Sequence, residues 1–407
     1  MRYCSWQRVT IDFWEASPIP AAQTRNVVVV RVLTNVHSAG HTGGYELSVF
    51  QVSRELARRG HSVEILFVEN KGLADEYGRF CERAIRVPGV DFDPDLIRHP
   101  RQQMWRTIAI WEGLRSRPDV IYAQRNASAG WAVPLKQITR KPLVMHFRGF
   151  ADEFTPRQLA KRVKVYNDVA DRLIAVSAFV GNQWTSAGLD PKKVQVIHNG
   201  IDPDDYPFGD AAARSRARAA LGLDDTLFVV TFIGRVDVEK GVEVLLQAWK
   251  ELDVGPEEGC LLVVGSPITH ENPGLYLSEL QHGASASVRF IPMQRDVITP
   301  LHAADVVVVP SLVEPFGRSV IEGLATGRPV VASRVGGIPE ILTGQLAGLL
   351  FDSGDAQDLA KRLDGLVGWQ NATPDLGLGC REHVERDFTL RRTVDQLEGV
   401  FDSLVAG

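Results

Sequence analysis

The segment VVPSLVEPFGRSVIEGLATGRPVVAS, residues 308–333, joins two apolar runs through a polar loop and a stretch with helical spacing. Short β-branched runs of this kind are typical of strands buried on both faces of a parallel sheet. The segment therefore predicts a strand, a loop, a helix and a second strand. This is the repeating unit of an α/β protein.

The same alternation recurs along the chain. A β-branched run, NVVVVRVL (26–33), precedes a stretch with helical spacing over 44–60. Further strands of the first half are predicted at 62–68, 119–123, 142–147, 172–177 and 193–200. A second series is predicted at 226–234, 260–265, 288–292, 306–310 and 329–333. The fold class is therefore α/β, with two Rossmann-like doubly wound domains facing a central cleft.

The length of 407 residues suits two domains of roughly 200 residues each. We divide the chain into a loosely attached leader (1–25), a first domain (26–205), a second domain (206–385) and a final helical segment (386–407). The leader lacks the basic start, long apolar stretch and small-residue cleavage site of a signal peptide.

Composition narrows the class of partner. The 45 basic and 50 acidic residues give neither a nucleic-acid surface nor an acidic tail. The four cysteines are widely spaced, and no apolar run approaches the roughly 20 residues of a membrane span, so we expect a cytoplasmic protein. At most peripheral membrane contact is expected: RHPRQQMWR (98–106) could lie on a membrane surface with Trp105 as the anchor, but a solvated loop or helix face explains this stretch better.

Ligands of open parallel sheets bind beyond the carboxyl ends of the strands. After the first predicted strand, Gly43 and Gly44 precede a helix and could let backbone N–H groups approach a phosphate. A tight turn is the alternative for this pair.

Two cations follow the first strand of the second series, in GRVDVEKG (234–241). Arg235 comes directly after the strand, and Lys240 lies at the start of an amphipathic helix. Cations there oppose the helix dipole unless an anion lies between them, and a diphosphate would supply that anion. In the alternative, the two cations pair with Asp237 and Glu239 on the surface.

Two glutamates, Glu314 and Glu322, lie eight residues apart in the opening segment. Gly317 permits a sharp corner between them, so that the first N–H groups of the next helix could face an anion. These N–H groups belong to Arg318, Ser319 and Val320. Since carboxylates accept hydrogen bonds from hydroxyls, one glutamate could hold a ribose and the other a sugar ring. Taken singly, Glu322 could equally be a first-turn partner of the helix dipole.

These residues together resemble the retaining glycosyltransferases of the GT-B fold, family 4. The resemblance covers nearly the whole chain. It is carried by GGYE (43–46), RELARRGHSVEI (54–65), VIHNGID (196–202), GRVDVEKG (234–241), the Glu314/Glu322 element and GRPVVASRVGGIPEIL (327–342).

The resemblance implies a role for each matched residue. Arg235 and Lys240, with Gly234 beside them, would hold the donor diphosphate, and Glu322 the ribose. Glu314 would contact hydroxyls of the transferred hexose, and the backbone of Phe316 and Gly317 would lie against the donor. His146 would reach the donor sugar from the first domain, a core histidine being the alternative. Gly43 and Gly44 would lie near the diphosphate and the acceptor.

The implied enzyme is a retaining hexosyltransferase that uses a UDP- or GDP-linked sugar, no metal and no cofactor. Its first domain would take the acceptor, which the sequence does not identify among small molecules, lipid-linked sugars and glycans. The final helix would pack back on the first domain. Ile291-Pro292-Met293 replaces a glycine that is frequent near the base, which leaves the base open. A homodimer is also left open. A nucleotide-sugar epimerase of related fold and a non-catalytic sugar-nucleotide-binding protein are the alternative functions.

Overall fold

The structure, a computed structural model, describes residues 28–40, 43–92, 99–268 and 271–406. The predicted leader (1–25) lies outside these residues. Two sheets are present, of seven and six strands, and every strand pairs with its neighbours in parallel. This confirms the predicted α/β class with two doubly wound sheets.

The first sheet has the strand order β3-β2-β1-β4-β5-β6-β7. Its strands are β1 (Arg31–Gly40), β2 (Ser62–Lys71), β3 (Arg83–Arg86), β4 (Val120–Ala123), β5 (Leu143–Phe147), β6 (Arg172–Ala175) and β7 (Val194–Val196). The helices around it are α1 (Gly44–Arg58), α2 (Ala74–Phe80), α3 (Pro100–Ser116), α4 (Ala129–Thr139), α5 (Pro156–Val169) and α6 (Ala178–Ser186).

The second sheet has the order β10-β9-β8-β11-β12-β13. Its strands are β8 (Phe228–Ile233), β9 (Gly259–Val264), β10 (Val288–Ile291), β11 (Val306–Val309), β12 (Val330–Ser333) and β13 (Leu350–Phe351). Between and after them run α7 (Ala211–Leu221), α8 (Val242–Glu251), α9 (Pro273–Gly283), α10 (Ile298–Ala303), α11 (Arg318–Ala325), α12 (Ile338–Ile341), α13 (Ala356–Asp364), α14 (Trp369–Ala372), α15 (Leu376–Asp387) and α16 (Leu390–Val405).

One predicted strand has different bounds in the structure, and two strands were not predicted. The first strand was predicted over 26–33, but β1 begins at Arg31 and runs on to Gly40, while Val28 and Val29 lie exposed ahead of it. Strand β3 was missed because it is an edge strand without an apolar run. Its first residue, Arg83, donates to the carboxylates of Glu64 and Glu112. Strand β13 was missed because it has only two residues.

The last helix returns to the first sheet. Phe401 of α16 packs edge-on against Tyr122 of β4, with 5.5 Å between ring centroids. Arg59 donates to Asp395 and Glu398 at 2.6 and 2.7 Å, and His61 is 3.0 Å from Glu398. The last helix, which follows the second sheet in the chain, therefore packs on the first sheet.

Trp105, the candidate membrane anchor, lies in α3. Trp105 is half-buried against the core that includes Phe92. Arg106 donates to the carbonyl of Gly130 at 2.6 Å. Arg98 lies outside the described residues. Within the described part of the chain, no helix combines the length and the apolar character that crossing a bilayer requires.

Candidate active site

Loops at the carboxyl ends of the two sheets contact each other. Ser177, after β6, donates to the carbonyl of Pro315 in the loop after β11 at 2.7 Å. Glu340 of α12 accepts from the backbone N–H groups of Ala178 and Phe179, both at 2.8 Å. The first turn of α6 is thus capped by a carboxylate from the other domain, so the loops after β6 and β11 are held together.

The opening segment forms β11, a loop, α11 and β12, as predicted. Gly317 caps α11 with φ of 107°, a left-handed conformation that favours glycine. The carbonyl of Glu314 accepts from the N–H of Gly337 at 3.2 Å, and a Cβ on Gly336 would lie 1.7 Å from that oxygen. Two glycines therefore allow the chain after β12 to lie directly against the Glu314 loop and fix its course.

Lys240 and Glu314 form an ion pair between the loops that follow the neighbouring strands β8 and β11. Lys240 Nζ donates to Glu314 Oε2 at 2.7 Å, with side chains 20% and 13% exposed. Lys240 ends a 3-10 turn, and Gly241 follows with φ of 65°. A Cβ on Gly241 would lie 2.0 Å from the carbonyl oxygen of Pro310, so only glycine lets the two loops approach this closely.

Arg235 follows β8, and its Nη1 donates to Asp237 at 2.8 Å, while Nη2 is 3.8 Å from Glu239. The alternative of local pairing therefore holds for Arg235 in this structure, although not for Lys240. Asp237 itself is buried, so its contact with Arg235 is not a solvated surface pair. Gly234 lies beside Arg235, and its carbonyl oxygen is 1.8 Å from the position of a Cβ on Gly265.

Glu322 lies in the first turns of α11. Its Oε1 accepts from Arg318 Nε at 2.7 Å and from the Tyr206 hydroxyl at 2.9 Å. Burial opposes the charge on Arg318, but Tyr206 and Glu322 outweigh it, and the pKa of Arg318 is raised above its usual value. One oxygen of the Glu322 carboxylate is therefore already occupied by two donors.

The side chain of Arg318 is a contact between the domains that the sequence did not predict. It is buried, and its Nη2 donates to Gln51 of α1 at 2.8 Å. Its Nη1 has no hydrogen-bond partner among the described residues. The spacing of Arg318 and Glu322, four residues apart in a helix, is the one signal that could have indicated their pairing.

The N-terminal end of α11 offers two of the three predicted N–H groups. The N–H of Val320 already donates to the carbonyl of Gly317 at 2.9 Å, because the first turn closes tightly, which corrects the expectation for Val320. The N–H groups of Arg318 and Ser319 lie in the first turn, where the helix itself supplies no acceptor.

Gly43 and Gly44 lie where β1 leads into α1, although residues 41 and 42 are outside the described part. Gly43 is extended, with φ of −166°, and caps α1. A Cβ on Gly44 would lie 3.2 Å from Cδ of Arg318, so this glycine makes room for the side chain from the other domain. The close approach explains Gly44 better than a left-handed turn.

Phe316 is buried, and its ring stacks on His198 with 5.6 Å between centroids. His198 Nε2 is in turn 2.9 Å from Glu340. Burial alone would raise the pKa of Glu340, but hydrogen bonds from His198 and from the α6 backbone lower it below its usual value. The Phe316 side chain therefore serves the contact between domains, and only its backbone is available to a ligand.

His146 lies in β5 and is 1% exposed. Its Nδ1 is 2.7 Å from the Tyr122 hydroxyl and 3.2 Å from Arg148 Nη2. Burial, and then the charge of Arg148, hold the pKa of His146 well below its usual value, so the ring is neutral. Its Nε2 has no partner among the described residues. The ring is as buried as a core histidine but retains one unused polar atom.

Other buried polar atoms without a partner in the described structure lie at the same edge of the first sheet. They include Ser38 Oγ at the end of β1, the Tyr45 hydroxyl in α1, Asp91 Oδ1, Asn126 Oδ1 and Arg148 Nε. Buried polar groups are normally satisfied, so this concentration is typical of a site that a polar ligand completes. It was not predicted from the sequence.

Carboxylates that suggest metal motifs have other partners. Asp202 accepts from the N–H of Asp204 and caps a turn, and Asp91 is paired with His37 at 3.1 Å and Arg125 at 3.4 Å. Asp93 and Asp95 lie outside the described residues. In the described ranges there is no group of three or more His, Cys, Asp or Glu side chains arranged to hold a metal ion.

Family models and known proteins match both halves of this chain. The family model for glycosyl transferases group 1 matches residues 228–368, and the model for Glycosyltransferase Family 4 matches residues 42–205. The chain is 32% identical to the D-inositol 3-phosphate glycosyltransferase of Rhodococcus jostii (strain RHA1), with 94% of this chain and 90% of the relative covered. It is 31% identical to the protein of that name from Mycolicibacterium vanbaalenii, with 96% and 93% covered.

Solved structures agree in fold. The structure of Anabaena HepE in complex with UDP-glucose matches with a TM-score of 0.78 and 23% identity, covering 92% of this chain and all of the other. Sucrose-phosphate synthase from Thermosynechococcus elongatus matches with a TM-score of 0.77 and 22% identity, with 92% and 99% covered. The chain belongs to the family 4 glycosyltransferases and has their GT-B fold.

Proposed function

We propose that this glycosyltransferase transfers a hexose from a UDP- or GDP-linked sugar to an acceptor hydroxyl, with retention of the anomeric configuration and without a metal ion or cofactor. The observation that carries the proposal is the grouping of Lys240, Glu314 and Glu322 around the N-terminal end of α11. A helix end and a fixed cation attract a diphosphate, and two flanking carboxylates suit the hydroxyls on either side of it.

The diphosphate would lie against the N–H groups of Arg318 and Ser319, with Lys240 and Arg235 beside it. Lys240 has three N–H donors, so it can bind a phosphate oxygen and still donate to Glu314. As the bond to the sugar breaks, negative charge grows on the diphosphate. Fixed cations and helix N–H groups stabilise that charge without reorganising, which is the task a metal ion performs in other transferases.

The two ends of the donor would meet the two glutamates. Tyr206 and Arg318 occupy Oε1 of Glu322 and orient the carboxylate, so Oε2 would accept the ribose hydroxyls. Glu314, held by Lys240, would accept from hydroxyls of the hexose, and His146 would approach that hexose from the first domain. Gly43 and Gly44 would allow the start of α1 to lie close to the diphosphate.

The acceptor would bind on the first-domain side of the crevice, next to the unpartnered atoms of Tyr45 and Asn126. In a retaining transfer, the acceptor hydroxyl attacks from the face that the nucleotide leaves, and the departing phosphate can take its proton. Several curated relatives are named for D-inositol 3-phosphate, which makes that compound the first acceptor to test.

The test is incubation of the purified protein with a panel of UDP-, GDP- and ADP-linked hexoses, with D-inositol 3-phosphate and other acceptors. Free nucleotide is measured, and the anomeric configuration of the product is read from its proton coupling by NMR. Acceptor-dependent release with an α-linked product from an α-linked donor supports the proposal. An inverted product refutes the retaining mechanism, and donor conversion without an acceptor would indicate an epimerase or a hydrolase.

A further inference from the structure

Two groups contact Nδ1 of the His146 ring. Tyr122 of β4 places its hydroxyl 2.7 Å from Nδ1, and Arg148, just after β5, places Nη2 at 3.2 Å. Tyr122 and His146 are buried and Arg148 is half-buried. Burial raises the pKa of Tyr122 to about 12. Tyr122 is therefore an uncharged hydroxyl at neutral pH.

The position of Arg148 is fixed by several contacts. Its Nη1 donates to Asn199 Oδ1 at 2.9 Å and to Ser48 Oγ at 3.2 Å, and its Nη2 donates to Gln124 Oε1 at 3.1 Å. These partners come from a loop after β7, from α1 and from the end of β4. The guanidinium cannot move away from His146 without breaking several hydrogen bonds.

The two contacts place different requirements on the protonation of the imidazole Nδ1. A hydroxyl can donate or accept, so Tyr122 is compatible with a proton on either ring nitrogen. A guanidinium has only donors, so the contact with Arg148 is a hydrogen bond only if Nδ1 carries no proton. Since the ring is neutral, its single proton must then lie on Nε2.

We propose that Arg148 is a positioning residue that holds His146 in its neutral Nε2–H form, so that His146 meets the substrate as a hydrogen-bond donor and not as a base. The donor in question is Nε2, which is buried and has no partner among the residues that the structure describes. Its ligand would be an oxygen acceptor on the sugar nucleotide, a hexose hydroxyl or a phosphate oxygen. This inference rests on the proposed function for the identity of the ligand, but not for the protonation of the ring.

One consequence follows for the transfer. A histidine whose Nε2 already carries the proton cannot use that nitrogen to remove a proton from the acceptor hydroxyl. The proton must leave by another route, which agrees with the departing phosphate as the base. His146 would instead stabilise the donor by a hydrogen bond in an environment from which water is excluded.

The test is NMR spectroscopy of the full chain with ¹⁵N-labelled histidine. Two-bond ¹H–¹⁵N correlations distinguish Nε2–H from Nδ1–H rings without any turnover. The chain has ten histidines, so His146 is assigned by the signal that disappears in His146→Gln and that shifts in Tyr122→Phe. We expect the Nε2–H pattern in the parent protein. An Nδ1–H pattern there would overturn the proposal, even if no variant of Arg148 folds.

Two matched variants separate Arg148 from a merely structural role. Arg148→Lys retains a group that only donates, whereas Arg148→Met has similar length and no donor. We expect the Nε2–H form in Arg148→Lys and in Tyr122→Phe, and a rise of the Nδ1–H form in Arg148→Met. An unchanged ring in Arg148→Met would show that Arg148 does not set the tautomer.

Kinetics with the active donor give a second measurement. Loss of one hydrogen bond from His146 should lower kcat/KM for the donor in Arg148→Met by about tenfold, with partial recovery in Arg148→Lys. Equal kcat/KM in Arg148→Lys and Arg148→Met would overturn the role in transfer. If the protein transfers no sugar at all, the proposed function fails while the NMR test of the tautomer stands.

Discussion

Replacing Lys240 by methionine tests whether a cation stabilises the breaking bond. The side chain keeps its length and loses its charge, and the site loses one charge-assisted contact to the diphosphate. Such a contact contributes about 1.5–3 kcal/mol, and each 1.36 kcal/mol is tenfold in rate. We therefore expect kcat/KM for the donor to fall by about tenfold to a hundredfold, with kcat falling as well.

The same change also leaves Glu314 without its cation. The carboxylate is only 13% exposed, so part of the loss will appear as lower stability. Exposed ion pairs contribute under about 1 kcal/mol to stability, and breaking a buried ion pair costs about 3–5 kcal/mol. We therefore expect Lys240→Met to lower stability by about 1–3 kcal/mol, because this ion pair is half-buried. The double variant Lys240→Met/Glu314→Gln removes the unpaired charge and should regain most of that stability, but not the rate.

The assay is steady-state kinetics with the donor and acceptor found in the panel, together with calorimetric titration of the free nucleotide diphosphate and urea unfolding. Lys250→Met is the matched control, because Lys250 is exposed at the far end of α8. A raised KM with unchanged kcat would mean that Lys240 binds the ground state and the transition state equally, and the role in bond breaking would be withdrawn.

Four further outcomes are expected. Glu322→Ala should weaken binding of the donor and of the free nucleotide alike, as measured by calorimetry. Tyr206→Phe should weaken both by less, because Arg318 still holds the carboxylate. Equal nucleotide affinities in the parent and both variants would exclude the ribose role. Turnover should survive EDTA, and loss restored by magnesium or manganese would count against the metal-free mechanism. Gly241→Ala should lower stability by more than about 2 kcal/mol, because a left-handed alanine costs about 1–2 kcal/mol and its Cβ would lie 2.0 Å from Pro310 O. Gly222 has a φ of 62°, and among the described residues a Cβ there would meet no atom within 4 Å beyond its chain neighbours, so Gly222→Ala should cost the backbone term alone in thermal unfolding. Burial would raise the pKa of Glu398, but hydrogen bonds from His61 and Arg59 and their charges lower it. The contribution of Glu398 to stability is therefore complete above the ordinary glutamate pKa of about 4.3 and is lost as pH falls through the folded-state pKa. The free energies of unfolding of Glu398→Gln and the parent, measured in urea, should differ at pH 7 and converge in acid, and a constant difference would contradict this sign.

The sequence by itself determined the fold class, because that class depends on local periodicity. Short β-branched runs that alternate with amphipathic stretches can form only a few architectures, and every predicted strand of both series is present in some form. Of the missed strands, β3 has no fully buried residue, and β13 has two buried residues, which are too few to form a pattern along the chain. The pairing of both strands is therefore decided by their neighbours.

The sequence also predicted the region of the candidate site. The glutamate pair, the corner at Gly317 and the cations after β8 are close in sequence to strand ends, and parallel strands bring their ends to one edge. That prediction needs no knowledge of distant contacts. Glu314, Glu322 and Lys240 can therefore be selected from their local sequence alone.

Only the tertiary structure decided how these residues are paired. Lys240 and Glu314 are 74 residues apart, Tyr206 and Glu322 are 116 apart, and Arg318 and Gln51 are 267 apart. The tautomer of His146 likewise depends on a guanidinium that is held by α1 and by the loop after β7. Contacts at such separation are fixed by the packing of two sheets and the return of α16, and no local spacing encodes the protonation or the partner that results.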